Sequence, residues 1–136
     1  MKTKPVKRLK TAAKTKGDWA ESKALDFLIE KGLTLIQKNF HCQTGEIDLI
    51  MLHGKDLVFI EVRSRRKNSL MSAAESITSH KKQKIMRTAQ YFLLSQANLL
   101  LSQSQGNPPP CRFDVVCLEL GEPQTVKIEW IQNAFF

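Results

Sequence analysis

Cysteine is scarce in this chain, and a long apolar run is missing. The 136 residues include three cysteines, an odd number without a Cys-x-x-Cys pair, which argues against a disulfide framework. The most aliphatic stretch, Tyr91 to Leu101, is interrupted by polar residues and is too short to span a bilayer. Residues 1–16 lack the apolar segment of a secretory signal. We therefore expect no transmembrane segment and a reducing, cytoplasmic location.

Acidic residues are also few, with 13 against 21 lysines and arginines, and the formal net charge is +8. Residues 1–16 hold seven basic residues and no acid, which predicts a flexible basic arm before a single domain over 17–136. Within that domain, residues 63–87 hold eight basic residues against Glu75 alone, whereas 17–62 nets −4. This segregation suits carboxylates that hold a metal beside cations that hold phosphate. Solvated, lysine-rich helix faces would give the same pattern.

Hydrophobic periodicity predicts seven elements in the order α-β-β-β-α-β-β. Helical spacing runs from Gly17 to Gly32 and again from about Thr78 to Ser102. Strands are predicted at Leu33–Phe40, Ile47–Leu52, Leu57–Arg63, Arg112–Leu120 and Thr125–Ile131. Because a helix separates the third and fourth strands, these two can pair in parallel. The pattern predicts an α/β fold with a mixed β-sheet flanked by helices.

The turn His53-Gly54-Lys55-Asp56 predicts a β-hairpin with a defined register. If Leu52 pairs with Leu57, the numbers of paired residues sum to 109, and Asp48 lies opposite Glu61. Like charges at directly opposed positions are destabilising unless something compensates them. A divalent cation would do so, and carboxylate oxygens favour Mg²⁺ or Mn²⁺. The alternative is that both acids simply point to solvent.

Strand alternation also predicts which side chains share a face with these acids. Arg63 lies on the face of Glu61, and Ile50 and Phe59 share it, so partial cover is expected there. The core is predicted on the opposite face, at Ile47, Leu49, Val58, Ile60 and Val62.

Three spaced motifs together resemble a known protein family. They are Gly45-Glu46-Ile47-Asp48-Leu49-Ile50, Val58-Phe59-Ile60-Glu61-Val62-Arg63-Ser64-Arg65 and Arg112-Phe113-Asp114-Val115-Val116. The combination is similar to the YraN-like uncharacterised protein family, which looks like a branch of the PD-(D/E)XK nuclease superfamily near the archaeal Holliday-junction resolvases. The resemblance covers nearly all of residues 17–136. It implies a restriction-endonuclease-like core and a magnesium-dependent, structure-specific nuclease acting on DNA.

The resemblance also implies which residues form a metal site. Asp48, Glu61 and the carbonyl of Val62 would bind the ion, and Glu21 of the first helix would assist catalysis. The alternative for Glu21 is a capping box with Asp18, since Asp18-x-x-Glu21 has the required spacing.

Arg63 stands where the superfamily pattern usually has lysine. A guanidinium stays protonated, so Arg63 cannot act as a base, but it can stabilise charge on a phosphate. Arg65, Lys81 and Lys84 are further candidates for phosphate binding, and Lys81 resembles a family lysine; solvation is the alternative for these cations. Glu46 is predicted to lie across from Arg63 and to hold it, instead of binding metal.

Two other polar groups receive a structural interpretation. Arg112 and Asp114 share a strand face and are expected to form a structural ion pair. The spacing of His41, Cys42 and His53 matches no established zinc pattern.

Three classes of function stay open at this point. The first is a Mg²⁺- or Mn²⁺-dependent nuclease, in which a homodimer would supply one site for each of two strands. The second is a nucleic-acid-binding module with a nuclease fold and little or no catalysis, which Arg63 favours. The third is a protein-interaction domain, supported only by the basic arm.

Overall fold

The computed structural model describes residues 12–66, 75–96, 108–121 and 125–135. The elements are α1 (Ala12–Glu30), β1 (Thr34–Cys42), β2 (Gly45–His53), β3 (Asp56–Arg66), α2 (Ser79–Ser95), β4 (Cys111–Gly121) and β5 (Thr125–Ile131). This order confirms the predicted α/β arrangement. Most of the predicted continuation of the second helix to Ser102 lies outside the described residues. Neither helix is long and apolar enough to cross a membrane within the described part of the chain.

The five strands form one mixed sheet in the order β1-β2-β3-β4-β5. Neighbouring strands are antiparallel except β3 and β4, which are parallel and are joined by the crossover that contains α2. The β2–β3 pairing runs from Leu49↔Ile60 to His53↔Asp56. Every pair sums to 109, so the predicted hairpin register is confirmed.

Both faces of the sheet are buried, and the prediction of a single core face is wrong. Leu49, Val58 and Ile60 pack with residues of α1 on one side. Ile50 and Phe59 pack with residues of α2 on the other. The face that Ile50 and Phe59 share therefore has a core of its own, because α2 covers it.

β2 changes its orientation at Asp48. Ile47 packs with Ile50 in the α2-side cluster, whereas Leu49 packs in the α1-side cluster. Regular alternation would keep residues 47 and 49 on the same face, so the predicted face of Ile47 is wrong. The pairing of β2 with β3 also ends at Leu49↔Ile60. The two strands separate at this point, which opens one end of the sheet.

Helix α1 begins at Ala12, inside the segment predicted to be the basic arm and before the predicted start at Gly17. Residues 1–11 of that arm lie outside the described residues. Asp18 and Glu21 are inside the helix, so the predicted capping box is wrong, because a capping residue must precede the first helical turn. The helix stops as predicted, with Gly32 at a φ of +96°.

Candidate metal centre

A cleft of ≈ 230 Å³ opens at the end of the sheet where β2 separates from β3. Its walls come from α1, β2, β3 and the first turn of α2. The charged side chains that line it are Glu21, Glu46, Asp48, Glu61, Arg63 and Lys81. The structure thus brings the predicted catalytic residues together in one concave site.

The start of β2 reaches this cleft because Gly45 allows it to pass close to α2. Gly45 has a φ of +151°, and a Cβ atom there would lie 3.1 Å from Thr88 Oγ1. Thr44 Oγ1 lies 3.0 Å from the same hydroxyl and ties the β1–β2 turn to α2. Glu46 and Asp48 follow two residues apart along β2, and both line the cleft.

Glu21, Glu46 and Asp48 form a close carboxylate cluster. Each offers an oxygen atom, and these oxygens lie within 4.8 Å of one another. Glu46 is therefore placed beside the other acids. Its predicted role of holding Arg63 is wrong, because the Arg63 guanidinium donates to Ser76 instead.

Asp48 is held by one backbone donor and otherwise faces acids. Its Oδ2 accepts a hydrogen bond of 2.8 Å from the backbone N–H of Val62. Burial, a hydrogen bond with Glu61 and the charge of Glu61 raise the pKa of Asp48 to about 9. In the absence of a cation, burial and the neighbouring Glu61 therefore favour the protonated form of Asp48.

Glu61 carries an acceptor atom that nothing in the described structure saturates. Its side chain is only 6% exposed, and Oε2 is buried without a hydrogen-bond partner. Lys81 Nζ lies 3.3 Å from this oxygen, which is an ion-pair distance but lacks hydrogen-bond geometry. Thr78 caps α2 by accepting from Lys81 N at 3.1 Å, which fixes Lys81 in the first turn beside the cleft.

Glu21 extends the acidic cluster from α1. Its pKa is raised by burial and by the charges of Glu46 and Asp18, and is lowered by a hydrogen bond with the Asn39 side chain. Negative charge close to Glu21 thus disfavours the ionised form of this side chain.

The donor set fits a hard divalent cation. Only oxygen ligands are present in the carboxylate cluster, and Mg²⁺ and Mn²⁺ prefer such ligands. The unsaturated, buried Oε2 of Glu61 supplies an independent indication that the described contacts leave the site short of positive charge. The cluster excludes His41, Cys42 and His53.

The four predicted phosphate ligands differ in position. Lys81 and Arg63 line the cleft, although Arg63 donates from Nε and Nη2 to Ser76 at 3.3 and 3.2 Å. Arg65 forms ion pairs with acids of β4 and β5 at 3.4 and 3.9 Å. Lys84 is exposed one helical turn beyond Lys81. Lys81 is the cation nearest to the candidate metal ligands.

The predicted structural pair of Arg112 and Asp114 is confirmed. Two hydrogen bonds of 2.9 Å join the guanidinium to the carboxylate. Trp130 Nε1 and the backbone N–H of Asn133 each donate to the same carboxylate at 2.9 Å. Arg112 also donates to His53 Nδ1 at 3.0 Å. None of the residues that make these contacts lines the cleft.

Comparison with known sequences agrees with the motif resemblance. Residues 20–118 match the model described as "Uncharacterised protein family UPF0102". The chain belongs to the UPF0102 family. The matched span includes all four acidic side chains of the cleft, so the whole candidate site lies within the family's shared region.

Individual UPF0102 proteins match along almost their whole length. A protein from Saccharophagus degradans is 45% identical over 119 residues, covering 88% of this chain and 91% of the relative. One from Alcanivorax borkumensis is 41% identical over 123 residues, covering 90% of this chain and 93% of the relative. One from Legionella pneumophila is 42% identical over 120 residues, covering 88% of this chain and 93% of the relative.

Sequence reasoning gave Glu46 a different role and did not place it among the metal ligands. Glu46 stands two positions before Asp48, and the period of a β-strand would have placed both on one face. No motif singled out Asn39, which lines a neighbouring cleft together with Glu21.

Proposed function

We propose that this UPF0102 protein is a metal-dependent nuclease, a Mg²⁺- or Mn²⁺-dependent phosphodiesterase that acts on DNA. The observation that carries the proposal is that four carboxylates line one cleft and receive few hydrogen bonds there. They belong to Glu21, Glu46, Asp48 and Glu61. Asp48 has a single backbone donor, and Glu61 Oε2 has no hydrogen bond among the described residues. A bound cation would stabilise carboxylates that lie this close together with so few hydrogen-bond donors.

Asp48, Glu21 and Glu46 would hold the ion, with Glu61 beside them. A divalent cation in such a site would activate water and neutralise charge that develops on phosphate. Asp48 gives up its proton when the site is occupied, because ligands must be deprotonated. The protein's own contribution is to fix these oxygens on three different elements before substrate arrives.

Two cations are placed to contact phosphate at the same cleft. Lys81 projects from the first turn of α2, and its side chain is 44% exposed while its ammonium contacts Glu61. Arg63 is anchored on Ser76 and remains charged at all working pH values. Both cations can bind phosphate oxygens. Neither Arg63 nor Lys81, which is paired with Glu61, needs to act as a base. The wider basic segment of residues 63–87 supports a polyanionic substrate.

A cleavage assay on branched, single-stranded and duplex DNA, with Mg²⁺ and with Mn²⁺, tests the proposal. We expect cleavage that requires the metal and falls about 100-fold or more in Asp48→Ala and in Glu61→Ala. Glu30→Ala, an exposed acid at the end of α1, is the matched control and should retain activity. Unchanged cleavage in both cleft variants would exclude this site as the source of activity. A homodimer remains a prediction, which the mass of the protein on branched DNA would test.

A second function, DNA binding without cleavage, is favoured by one observation. The residue at the usual lysine position is Arg63, and its guanidinium is bonded to Ser76. A pure binding module would bind DNA with an affinity that falls steeply as salt rises, and would cleave none of the substrates in either metal. That pair of results would replace the nuclease proposal.

A further inference from the structure

Helix α2 has an outward side that begins with cations and ends with apolar side chains. Four exposed residues follow one another at intervals of three and four positions, which places them along one side of the helix. They are Lys84, Arg87, Tyr91 and Leu94, and we call them the α2 stripe. The buried residues of α2 belong to the other side, which packs against the sheet. The stripe therefore faces away from the core.

The two cations of the stripe have no acid beside them on the helix. α2 contains four lysines and arginines and no aspartate or glutamate, whereas solvated helix faces are commonly stabilised by opposite charges three or four residues apart. Lys84 and Arg87 form no ion pair with any acid in the part of the chain that the structure describes. Uncompensated positive charge on one surface suits a polyanion better than an apolar protein partner.

Tyr91 is restrained by a neighbour but is not covered. Its ring centroid lies 6.4 Å from that of Phe40 in β1, with 33° between the ring planes. Phe40 itself packs edge-on against Phe92, with the centroids 5.2 Å apart. Tyr91 is nevertheless 55% exposed. An exposed ring that is already restrained loses little conformational entropy when a nucleobase stacks on it.

The stripe starts next to the metal-centre cleft. Lys84 stands one helical turn after Lys81, which lines that cleft. A Cβ atom at Gly45, where β2 enters the cleft, would lie 3.6 Å from the Cβ atom of Lys84. Tyr91 follows Lys84 after two further turns, about 10 Å along the helix axis. A strand with one phosphate in the cleft can therefore continue along α2.

We propose that the α2 stripe binds an unpaired strand of a DNA substrate: Lys84 and Arg87 contact its phosphates, and one of its bases stacks on Tyr91. This role rests on the proposed function and names its substrate class, which is single-stranded DNA or the single-stranded part of a branched molecule. Stacking on a side chain needs a free base face, and the bases inside a duplex do not offer one. A base on Tyr91 fixes the position of the strand relative to the cleft.

Binding of a labelled single strand of about 15 nucleotides, measured by fluorescence anisotropy in EDTA, tests this role without cleavage. We expect Tyr91→Ala to bind the single strand about 5- to 100-fold more weakly than the wild type does. It should bind a duplex of the same length with the wild-type affinity, which also shows that the variant is folded. Tyr91→Phe keeps the ring and should bind both as the wild type does. Unchanged single-strand binding by Tyr91→Ala, or an equal loss on the duplex, would overturn the proposal.

Leu94→Ala is the matched control. Leu94 is 78% exposed and stands one turn after Tyr91, but it has no ring on which a base can stack. We expect Leu94→Ala to bind the single strand with the wild-type affinity. A loss equal to that of Tyr91→Ala would indicate an apolar surface of the kind that docks another protein, and it would overturn the stacking role.

The salt dependence of binding tests the two cations. Each phosphate contact on a single strand contributes about −0.7 to the slope of log K against log salt concentration. The double variant Lys84→Gln/Arg87→Gln should therefore have a slope that is shallower by about 1.4. Lys82→Gln is the control, because the Lys82 ammonium lies over the Phe135 ring, 5.7 Å from its centroid; its slope should equal that of the wild type. A wild-type slope in the double variant would contradict the phosphate contacts.

The same assays separate this role from the proposed nuclease activity. If the protein cleaves DNA while Tyr91→Ala binds the single strand normally, the role of the stripe fails and the nuclease stands. If no DNA is cleaved in either metal while Tyr91→Ala still loses single-strand affinity, catalysis fails and the role of the stripe stands. A wild-type protein that binds the duplex as tightly as the single strand, or binds neither, would overturn the proposal whatever the cleavage assay gives.

Discussion

Asp48 and Asp114 are two aspartates of the same sheet with opposite surroundings. Asp114 is 0% exposed and accepts from both Arg112 nitrogens, from Trp130 and from the backbone of Asn133. Asp48 accepts one backbone hydrogen bond, and its other neighbours in the cleft include three acids. One carboxylate is saturated by the protein's own donors, whereas the other is surrounded by negative charge.

This difference separates a structural carboxylate from one that awaits a ligand. Burial of an ionised group is unfavourable unless donors or opposite charges replace its water. The fold supplies them for Asp114, which joins β4 to the residues after β5. It withholds them from Asp48, where a proton or an external cation must compensate. A buried acid alone therefore does not identify a site; the lack of compensating donors does.

Removal of the saturated aspartate should give the largest effect on stability. Asp114→Ala leaves the Arg112 guanidinium, whose side chain is 13% exposed, without its main partner. We expect the free energy of unfolding to fall by about 3–5 kcal/mol, measured by urea denaturation in EDTA. Asp48→Ala, measured alongside, should lose far less. Equal losses in the two variants would remove the distinction between the two aspartates.

Asp48→Asn should instead stabilise the metal-free protein. Asparagine can still accept from Val62 N–H but carries no proton-linked charge. The folded pKa of Asp48 is about 9, above the ordinary 3.8, so the folded state binds the extra proton and wild-type stability falls as pH rises between these values. We expect Asp48→Asn to be more stable by about 1–3 kcal/mol at pH 8.

The control is to measure how the difference in free energy of unfolding between Asp48→Asn and the wild type changes with pH. Near pH 4, the unfolded aspartate also takes up its proton, so the advantage of Asp48→Asn should shrink toward zero. Urea denaturation in EDTA at pH 4.5, 6 and 8 measures it. An advantage that does not change with pH would point to an effect of packing instead of charge.

Metal binding should be coupled to the release of the Asp48 proton. Because the pKa of Asp48 is about 9 in the metal-free protein, the Mn²⁺ affinity should rise by up to about tenfold per pH unit between pH 6 and 8. Calorimetry in two buffers of different ionisation enthalpy counts the protons released. Close to one proton per ion at pH 7 is expected from Asp48, and an affinity independent of pH would contradict this account.

Local patterns were enough to predict the architecture and the central pair of acids. The turn at His53–Asp56 fixed the register because a short hairpin loop allows few pairings. The structure confirms that register from Leu49↔Ile60 to His53↔Asp56. The pairing ends one residue before the predicted pair of Asp48 and Glu61, which meet in the cleft without being paired in the sheet. The helix order followed from apolar spacing, since both helices bury one side against the sheet.

The rest of the site depends on departures from regular geometry that periodicity does not encode. The change of orientation at Asp48 moved Ile47 to the other cluster, and Asn39 has a left-handed backbone inside β1, where the pattern predicts a regular strand. The partner of Arg63 came from the segment before α2, far along the chain. Such contacts arise from tertiary packing, so neighbouring residues in the sequence give little indication of them.

The smallest expected effect concerns Lys81, the one cation that already compensates part of the acidic cluster in the described structure. Its ammonium is 3.3 Å from Glu61 and its side chain is 44% exposed, so the ion pair is screened by solvent and contributes about 0.2–1 kcal/mol. Lys81→Gln should therefore raise Mn²⁺ affinity by only about threefold, because a competing charge is removed. Lys84→Gln, on the exposed side of the same helix, should leave the affinity unchanged. A lower affinity in Lys81→Gln would mean that the ammonium organises the metal ligands instead of competing for them, and that the cleft depends on its own cation as Asp114 depends on Arg112.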